Sequence, residues 1–535
     1  MFHQLLTPVA GNLALSFLTA AAPIAVVLLL MGWVRRPAWQ ASLAGLVTCL
    51  ALAIGVWKMP AGLALYATGA GAVFALWPVM WIVLTALLLY NIAVLSGRFD
   101  AFRRWISSHL PNDRRVVLVV VGFCFGALLE GVAGFGAPVA ICSALLIATG
   151  FPALEALVFT LIFNTAPVAF GALGAPVTTL AAVTGLPDHL LGAMIGRQLP
   201  FIALMLPFYV MGVYGGLRSI RALWPLLLVA GGVFGGVQFF TSNYLNYVLT
   251  DVLSSIVSLA VTIAFLQVWK PKPDAAFALA GAGPASTEES GKPIPAWQGW
   301  WPWIAVSVVV IAWTELKLNK LFSHKVAWPG LDGQVFITLY EKPYAAIWDF
   351  QPLATGTAIL VSAALTAAAV AMGPKQVWAA AVLSWRQARL AVLTVMLIVG
   401  LAYLMNYSGM TYTLGLQVAS VGVFFPLVSA FLGWVAVFLS GSDTSGNALF
   451  GNLQVVAANQ LNMNPILFAA TNSSGGVMGK MISPQNISTG AAVTELKGQE
   501  GAILARTFKH SVILTLILSL LVMAQQNLFP WMIPG

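Results

Sequence analysis

The sequence predicts an all-α polytopic membrane protein of about 12–14 membrane segments, built from two inverted-topology repeats with re-entrant hairpins and discontinuous helices. Three observations predict it. Apolar residues make up 60% of the chain and charged residues 8%, against about a quarter charged in soluble domains, and the mean hydropathy is +0.91. Apolar runs near the roughly 20 residues that cross a bilayer recur along nearly the whole length. An acid, a proline, an asparagine, a second proline and an arginine recur in one order, at nearly one spacing, in each half.

The runs outside the repeat cores fall at Asn12–Trp33, Gln40–Trp57, Leu76–Leu95, Arg197–Tyr214, Trp224–Phe240, Tyr244–Trp269, Trp300–Trp313, Gln351–Met372, Ala391–Tyr407, Leu416–Leu439 and Ser511–Ala524. Period-two alternation is absent from them, which excludes a β-barrel. The first run is too long for the core of a cleavable signal and has no basic segment before it, so it is expected to be the first spanning helix. Cys49, Cys124 and Cys142 lie inside apolar stretches without CxxC spacing and read as small buried hydrophobes.

A net charge of +9 would suit a nucleic acid, but the Lys and Arg residues sit in short loops between runs, where they fix orientation instead. Basic clusters at Arg35 and Arg36, Arg98 to Arg115, Arg218 and Arg221, Lys270 and Lys272, Lys375 to Arg389, and Lys497 to Lys509 mark cytoplasmic loops. Pro187–His189, Leu316–Asp349 and Asn406–Leu414 then fall outside with both termini, although four lysines dilute the signal in the second of these. Residues 270–298 include "KPKPDAAFALAGAGPASTEESGKPIP" and read as a flexible cytoplasmic linker. It separates a first transmembrane half, residues 1–269, from a second, residues 299–535.

The halves resemble each other. Glu130 precedes Pro152 by 22 residues, Asn164 precedes Pro176 by 12, and Arg197 opens a span; Asp443 precedes Pro465 by 22, Asn472 precedes Pro484 by 12, and Arg506 precedes the last span. The loop before Val116 is strongly basic whereas its counterpart before Leu416 carries no Lys or Arg, and the bias reverses between the loops before Arg197 and around Arg506. The two repeats are therefore expected to be inverted, which is the signature of alternating-access transporters with the site near the midplane.

A chain that enters at Val116 from the cytoplasm and emerges near Pro187 crosses an odd number of times. The simplest path has Val116–Leu129 descending, a break at Glu130–Ala137, and Pro138–Thr149 returning as a hairpin. Pro152–Phe163 then enters again, breaks at Asn164–Ala175, and Pro176–Val183 completes the crossing, so that hairpin and broken helix fall within residues 116–185. The second half is expected to mirror this within residues 416–494, with breaks at Ser440–Asn447 and Asn472–Ser483. Irregular backbone survives at membrane depth only where it lines a protein cavity. Pro138, Pro176 and Pro484 suit the first turn of an outgoing half-helix, and Ser442, Asp443, Thr444 and Ser445 suit a helix cap. Four half-helix N-termini, each with free N–H groups and about half a positive charge, would favour a small carboxylate.

Between Ala391 and Thr494 the only Asp, Glu, Lys or Arg residues are Asp443 and Lys480. Intramembrane charges are costly and by default functional, so Glu130 and Asp443 are candidates for carrying a proton, against the plainer reading that each caps a hairpin tip or pairs with a buried cation. Lys480 is a candidate partner for the substrate carboxylate; the structural alternatives are snorkelling to the interface or pairing with Asp443. Gly134, Gly136, Asn164, Thr165, Ser442, Thr444, Ser445, Asn472 and Ser473 are the remaining substrate-binding candidates. Glu155 complements a helix start, Arg197 and Arg506 read as headgroup anchors, His189 as solvated, and the tryptophans as interfacial belts.

The segments "GALLEGVAGFGAPVAI", "NTAPVAFGALGAPV", "SGSDTSGNALFGNLQ" and "SSGGVMGKMISPQNI" resemble the lactate permease family of bacterial inner-membrane proteins, and the likeness runs over most of the chain. The resemblance implies proton-coupled uptake of L-lactate, with D-lactate and glycolate as further substrates. It also implies membership of an ion-transporter superfamily whose folds use inverted repeats and often form dimers. It calls for no cofactor and no metal. Two rivals stand beside it. Ser, Thr, Asn and unwound carbonyls also ligate sodium, which would make a sodium-coupled carboxylate transporter. Two carboxylates are also the equipment of acid–base catalysis, but the sequence carries no His-rich metal set, nucleophile motif or nucleotide loop.

Overall fold

Backbone polar groups in hydrocarbon have no water to bond, so an apolar run satisfies them internally as a helix. In the computed structural model, which describes residues 1–32, 34, 36–132, 137–279, 294–318, 321–494, 496 and 499–535, the runs do this. Among the described residues eight apolar helical stretches are long enough to cross a membrane, and ten if two sharply bent pairs count as spans. Those pairs are Ala153–Phe163 with Val168–Thr184, bent by 63°, and Met410–Ala419 with Gly422–Phe438, bent by 102°.

Several boundaries differ from those expected. The span expected at Leu76–Leu95 begins at Ala61, because the stretch "AGLALYATGAGAVF" is too rich in Ala and Gly to stand out as apolar yet packs tightly. A Cβ on Gly71 would lie 2.8 Å from Gly400 Cα, so that glycine lets the Ala61–Phe74 helix touch the backbone of Pro374–Ser408. The expected loop at Asn406–Leu414 is helical on both sides of Gly409, with Asn406 buried at the end of Pro374–Ser408. Leu199–Phe240 carries both expected spans, and its backbone reverses at Gly216, where φ is 67°. Gly231 then packs on the Leu204 backbone and Gly235 on Pro200, so the two arms run side by side.

The basic segments around Arg98, Arg114–Arg115 and Arg218 gather on one face. Arg98 donates to Gln298 (2.9 Å), Arg114 to the carbonyls of Gly150 (3.2 Å) and Ala276 (2.9 Å), and Arg115 to Asp113 (2.7 Å), with Asp274 3.8 Å from Arg115 and 3.7 Å from Arg218. Both termini lie on the opposite face. Phe2–His3 pairs in parallel with Val335–Phe336, and Gln4 donates to the carbonyls of Asn406 and Tyr407. Asn406 reaches the Val183 carbonyl (3.0 Å), while Arg197 holds the Met532 carbonyl (2.9 Å). Arg197 thus ties down the C-terminal segment as well as opening a span. The loop Leu316–Asp349 shares this face and adds an antiparallel pair, His324–Ala327 with Ile347–Phe350.

The helices that position the site are the hairpin arms and broken segments between these faces. Arg114–Val132 and Ala137–Ala148 pack on each other, followed by Ala153–Phe163 and Gly171–Thr184. In the second half Phe425–Ser440 is followed by Asp443–Gln460, Pro465–Lys480 and Pro484–Val493. Here the breaks are shorter than expected: Gly441–Ser442 and Met481–Ser483, with helix already formed at Asp443 and unbroken through Asn472 and Ser473. The glycines near Asn472 are packing surfaces and not breakers. Cβ atoms on Gly475 and Gly479 would lie 2.7 Å from Ala430 Cα and 2.9 Å from Phe438 N, so Pro465–Lys480 and Phe425–Ser440 meet backbone to backbone.

Candidate functional site

Three of the expected breaks and Glu130, on the helix that precedes the first, meet at one cavity of about 580 Å³. Exposed Arg36, Gln387 and Leu390 line its mouth, and buried Glu130, Asp443 and Lys480 line its interior. Gln387 accepts a hydrogen bond from Asn91 (2.8 Å), one to two turns before Arg98, so the mouth faces the basic side. The walls come from Val168–Pro176, Ser440–Ser445 and Lys480–Asn486.

Lys480 is the last residue of its helix, where a cation complements the dipole; the helix stops there because Pro484 follows and begins the next one. Its ammonium neither snorkels nor pairs with Asp443. It lies 2.6 Å from Glu130 Oε1, with both side chains under a tenth exposed. Asn164 donates to the other Glu130 oxygen (3.0 Å). Asn164 can do so because Ala153–Phe163 ends at it: Pro167 follows, and Ala172, Leu173 and Gly174 take left-handed backbone before the regular helix resumes.

Asp443 opens its helix behind the cap of Ser442, which accepts from Ser445 N (3.4 Å). One Asp443 oxygen accepts from Ser473 (2.5 Å) and Asn447 (3.2 Å); the other is buried with no partner among the described residues. Asn472 extends the network sideways, donating to Asn447 Oδ1 (3.0 Å) and accepting from Gln454 (3.0 Å). Those side-chain bonds leave the Asn472 backbone free to stay helical.

Amide side chains also close the breaks, where carbonyls would otherwise be orphaned. Asn447 donates to Pro176 O (3.2 Å), Asn486 to Gly441 O (3.1 Å) and Lys480 O (3.3 Å), and Gln238 to Ala166 O (3.0 Å). Sequence reasoning passed over these three, although an amide inside an apolar helix is a legible sign of a neighbour's broken backbone.

Of the expected residues, Glu130, Asp443, Ser442, Thr444, Ser445 and Lys480 line the cavity. Asn164, Asn472 and Ser473 lie behind it as hydrogen-bond partners, and the Thr165 hydroxyl, just past the helix end, donates back to Ile162 O. Gly134 and Gly136 fall outside the described residues. No group of three or more His, Cys, Asp or Glu side chains converges among the described residues. Another buried carboxyl, Asp251, packs against Gly131 beside Glu130, and among the described residues neither of its oxygens has a hydrogen-bond partner.

Comparison with known proteins agrees with the motifs. The family model for L-lactate permease matches residues 16–529. The chain is 40% identical over 551 residues to the glycolate permease of Escherichia coli K12, covering 98% of each. It is 39% identical over 561 residues to the L-lactate permease of Bacillus subtilis 168, covering 99% of each. Among solved structures it aligns with the YdaH transporter of Alcanivorax borkumensis at 14% identity and a TM-score of 0.46, covering 88% of this chain and 89% of that one.

Proposed function

The chain is a multi-pass membrane protein that belongs to the L-lactate permease family, and on that premise we propose that it carries L-lactate into the cell together with a proton. D-lactate and glycolate are further substrates in this reading. The observation that carries it is the ion pair in the cavity: the Lys480 cation meets Glu130 at 2.6 Å beside the helix starts at Asp443 and Pro484. A buried ion pair is a poor source of stability, since desolvation cancels most of its attraction; a pair that must open is a better reason to keep one.

In the proposed cycle Glu130 and the lactate carboxylate compete for Lys480. Protonated Glu130 releases the ammonium, and the substrate carboxylate takes its place, supported by the positive ends of the half-helices. The 2-hydroxyl bonds to Ser442, Thr444 or Ser445. When the proton leaves, Glu130 reclaims Lys480 and the anion is expelled. Proton and anion together carry no net charge, which removes the cost of moving an anion toward a negative interior, about 2.3 kcal/mol per charge per 100 mV.

The basic face is the cytoplasmic one in this reading, so the cavity is open inward and both termini are periplasmic in a bacterial inner membrane. The two halves act as inverted repeats that expose the site alternately. In proteoliposomes with an alkaline interior, radiolabelled L-lactate is expected to accumulate, and an inward sodium gradient at symmetric pH is expected to drive none. Accumulation driven by sodium and not by pH would replace this reading with a sodium-coupled one.

A further inference from the structure

Asp251 has no place in the cycle just described, yet it is fully buried with both carboxyl oxygens unbonded among the described residues. A structural aspartate at such a site would be hydrogen-bonded, because an unpaired buried polar group costs free energy without return. An ionised carboxylate with no donor is costlier still, so the neutral acid is the form this environment accommodates.

Its neighbours say what the proton is for. A Cβ on Gly131 would lie 2.8 Å from Asp251 Cβ; glycine at 131 is what lets Asp251 reach the hairpin arm next to Glu130. Glu130 precedes Gly131 on that arm, and its carboxylate is paired with Lys480. Among the described residues the other elements packed on its helix, Thr250–Val268, bring no charge to it, and Tyr244 is exposed. Gly171–Thr184 has no ionisable residue, Arg218, Arg221 and Glu315 are exposed, Tyr209 bonds His510, Tyr214 packs on aromatic rings, and Cys124 lies against Ser258.

Asp251 does not line the cavity. It begins a helix on the side of the termini, one turn after Tyr247, whose hydroxyl bonds the exposed Asp188 carboxylate (3.2 Å) and the Thr178 hydroxyl (3.0 Å). Polar groups therefore lead from the far surface to within a turn of Asp251.

We propose that Asp251 is a proton-relay residue, passing its proton to the Glu130 carboxylate from the side of the hairpin that faces away from the cavity. One proton leaves the Asp251 carboxyl, one arrives on Glu130, and Asp251 is reloaded from the face that carries the termini. The proposal rests on the proton-coupled reading. Wild-type protein must first accumulate lactate under a pH gradient; failure there refutes that reading and not this residue's role in particular.

With that established, Asp251→Asn is expected to lower pH-driven accumulation at least tenfold while exchange of external for preloaded lactate stays within twofold of wild type, since exchange needs no proton to leave. Asp251→Glu is expected to restore accumulation. Wild-type accumulation by Asp251→Asn overturns the proposal, and so does equal loss of accumulation and exchange in a protein that remains monodisperse in detergent, because that outcome marks a packing role.

Discussion

Lys480→Gln is expected to abolish lactate transport, with uptake falling by two to three orders of magnitude while the purified protein remains folded. Removing one member of a buried pair costs roughly 3–5 kcal/mol when the other stays charged, and each 1.4 kcal/mol is a factor of ten. Glu130 escapes much of that cost by taking a proton, since a buried carboxyl neutralises in preference to standing alone. Asn164 still holds its second oxygen at 3.0 Å, so the fold survives. The substrate does not escape: the cavity then offers its carboxylate only helix N-termini, each worth about 1–2 kcal/mol at best in partly buried geometry. Lys480→Arg is expected to recover little, because a planar fork does not fit where a compact ammonium sits between two helix ends. Uptake of radiolabelled lactate alongside a thermal-stability measurement separates lost transport from lost fold.

Gly475→Val is expected to prevent assembly of the second half. The Pro465–Lys480 and Phe425–Ser440 helices touch through Gly433, Gly475 and Gly479, where added Cβ atoms would meet backbone and not side chains. A crowded side chain can change rotamer; a carbonyl in a membrane helix cannot move without opening its hydrogen bond. Overpacking typically costs 1–3 kcal/mol, and here the helices must separate instead, which moves Lys480 at the end of one of them. Gly236→Ala, where a Cβ would meet nothing within 4 Å, is the matched control. Monodisperse yield in detergent is expected to collapse for Gly475→Val and to match wild type for Gly236→Ala.

The sequence placed the second break of the first half well because its cause is local: Asn164 and Pro176 bracket irregular backbone. The break expected from Glu130 to Ala137 starts later, since Glu130 lies inside the helix Gly126–Val132, and residues 133–136 fall outside the described ones. The same spacing misled at Asn472. Repeat-equivalent asparagines do different jobs: Asn164 ends a helix and holds Glu130, whereas Asn472 sits inside a helix and bonds a neighbour. Spacing fixes where a polar residue falls on the chain and not whether its amide serves its own backbone or another's. The partner of Lys480 was out of reach for a related reason, because 350 residues separate it from Glu130 and only packing of the two halves joins them. Asp251, inside the expected run Tyr244–Trp269, was not singled out in the sequence, and only packing against Gly131 shows it buried beside Glu130.

The central claim is that a proton on Glu130 and lactate on Lys480 arrive together. Calorimetric titration of detergent-solubilised protein with L-lactate, repeated in buffers of different ionisation enthalpy, counts the protons taken up on binding. Wild-type protein is expected to take up close to one proton per lactate, with affinity falling as pH rises because ionised Glu130 then holds Lys480. Glu130→Gln leaves Lys480 unpaired at every pH and is expected to bind lactate with no proton uptake and no such fall. Binding to Glu130→Gln that still takes up a proton and weakens with pH as in wild type would contradict the account.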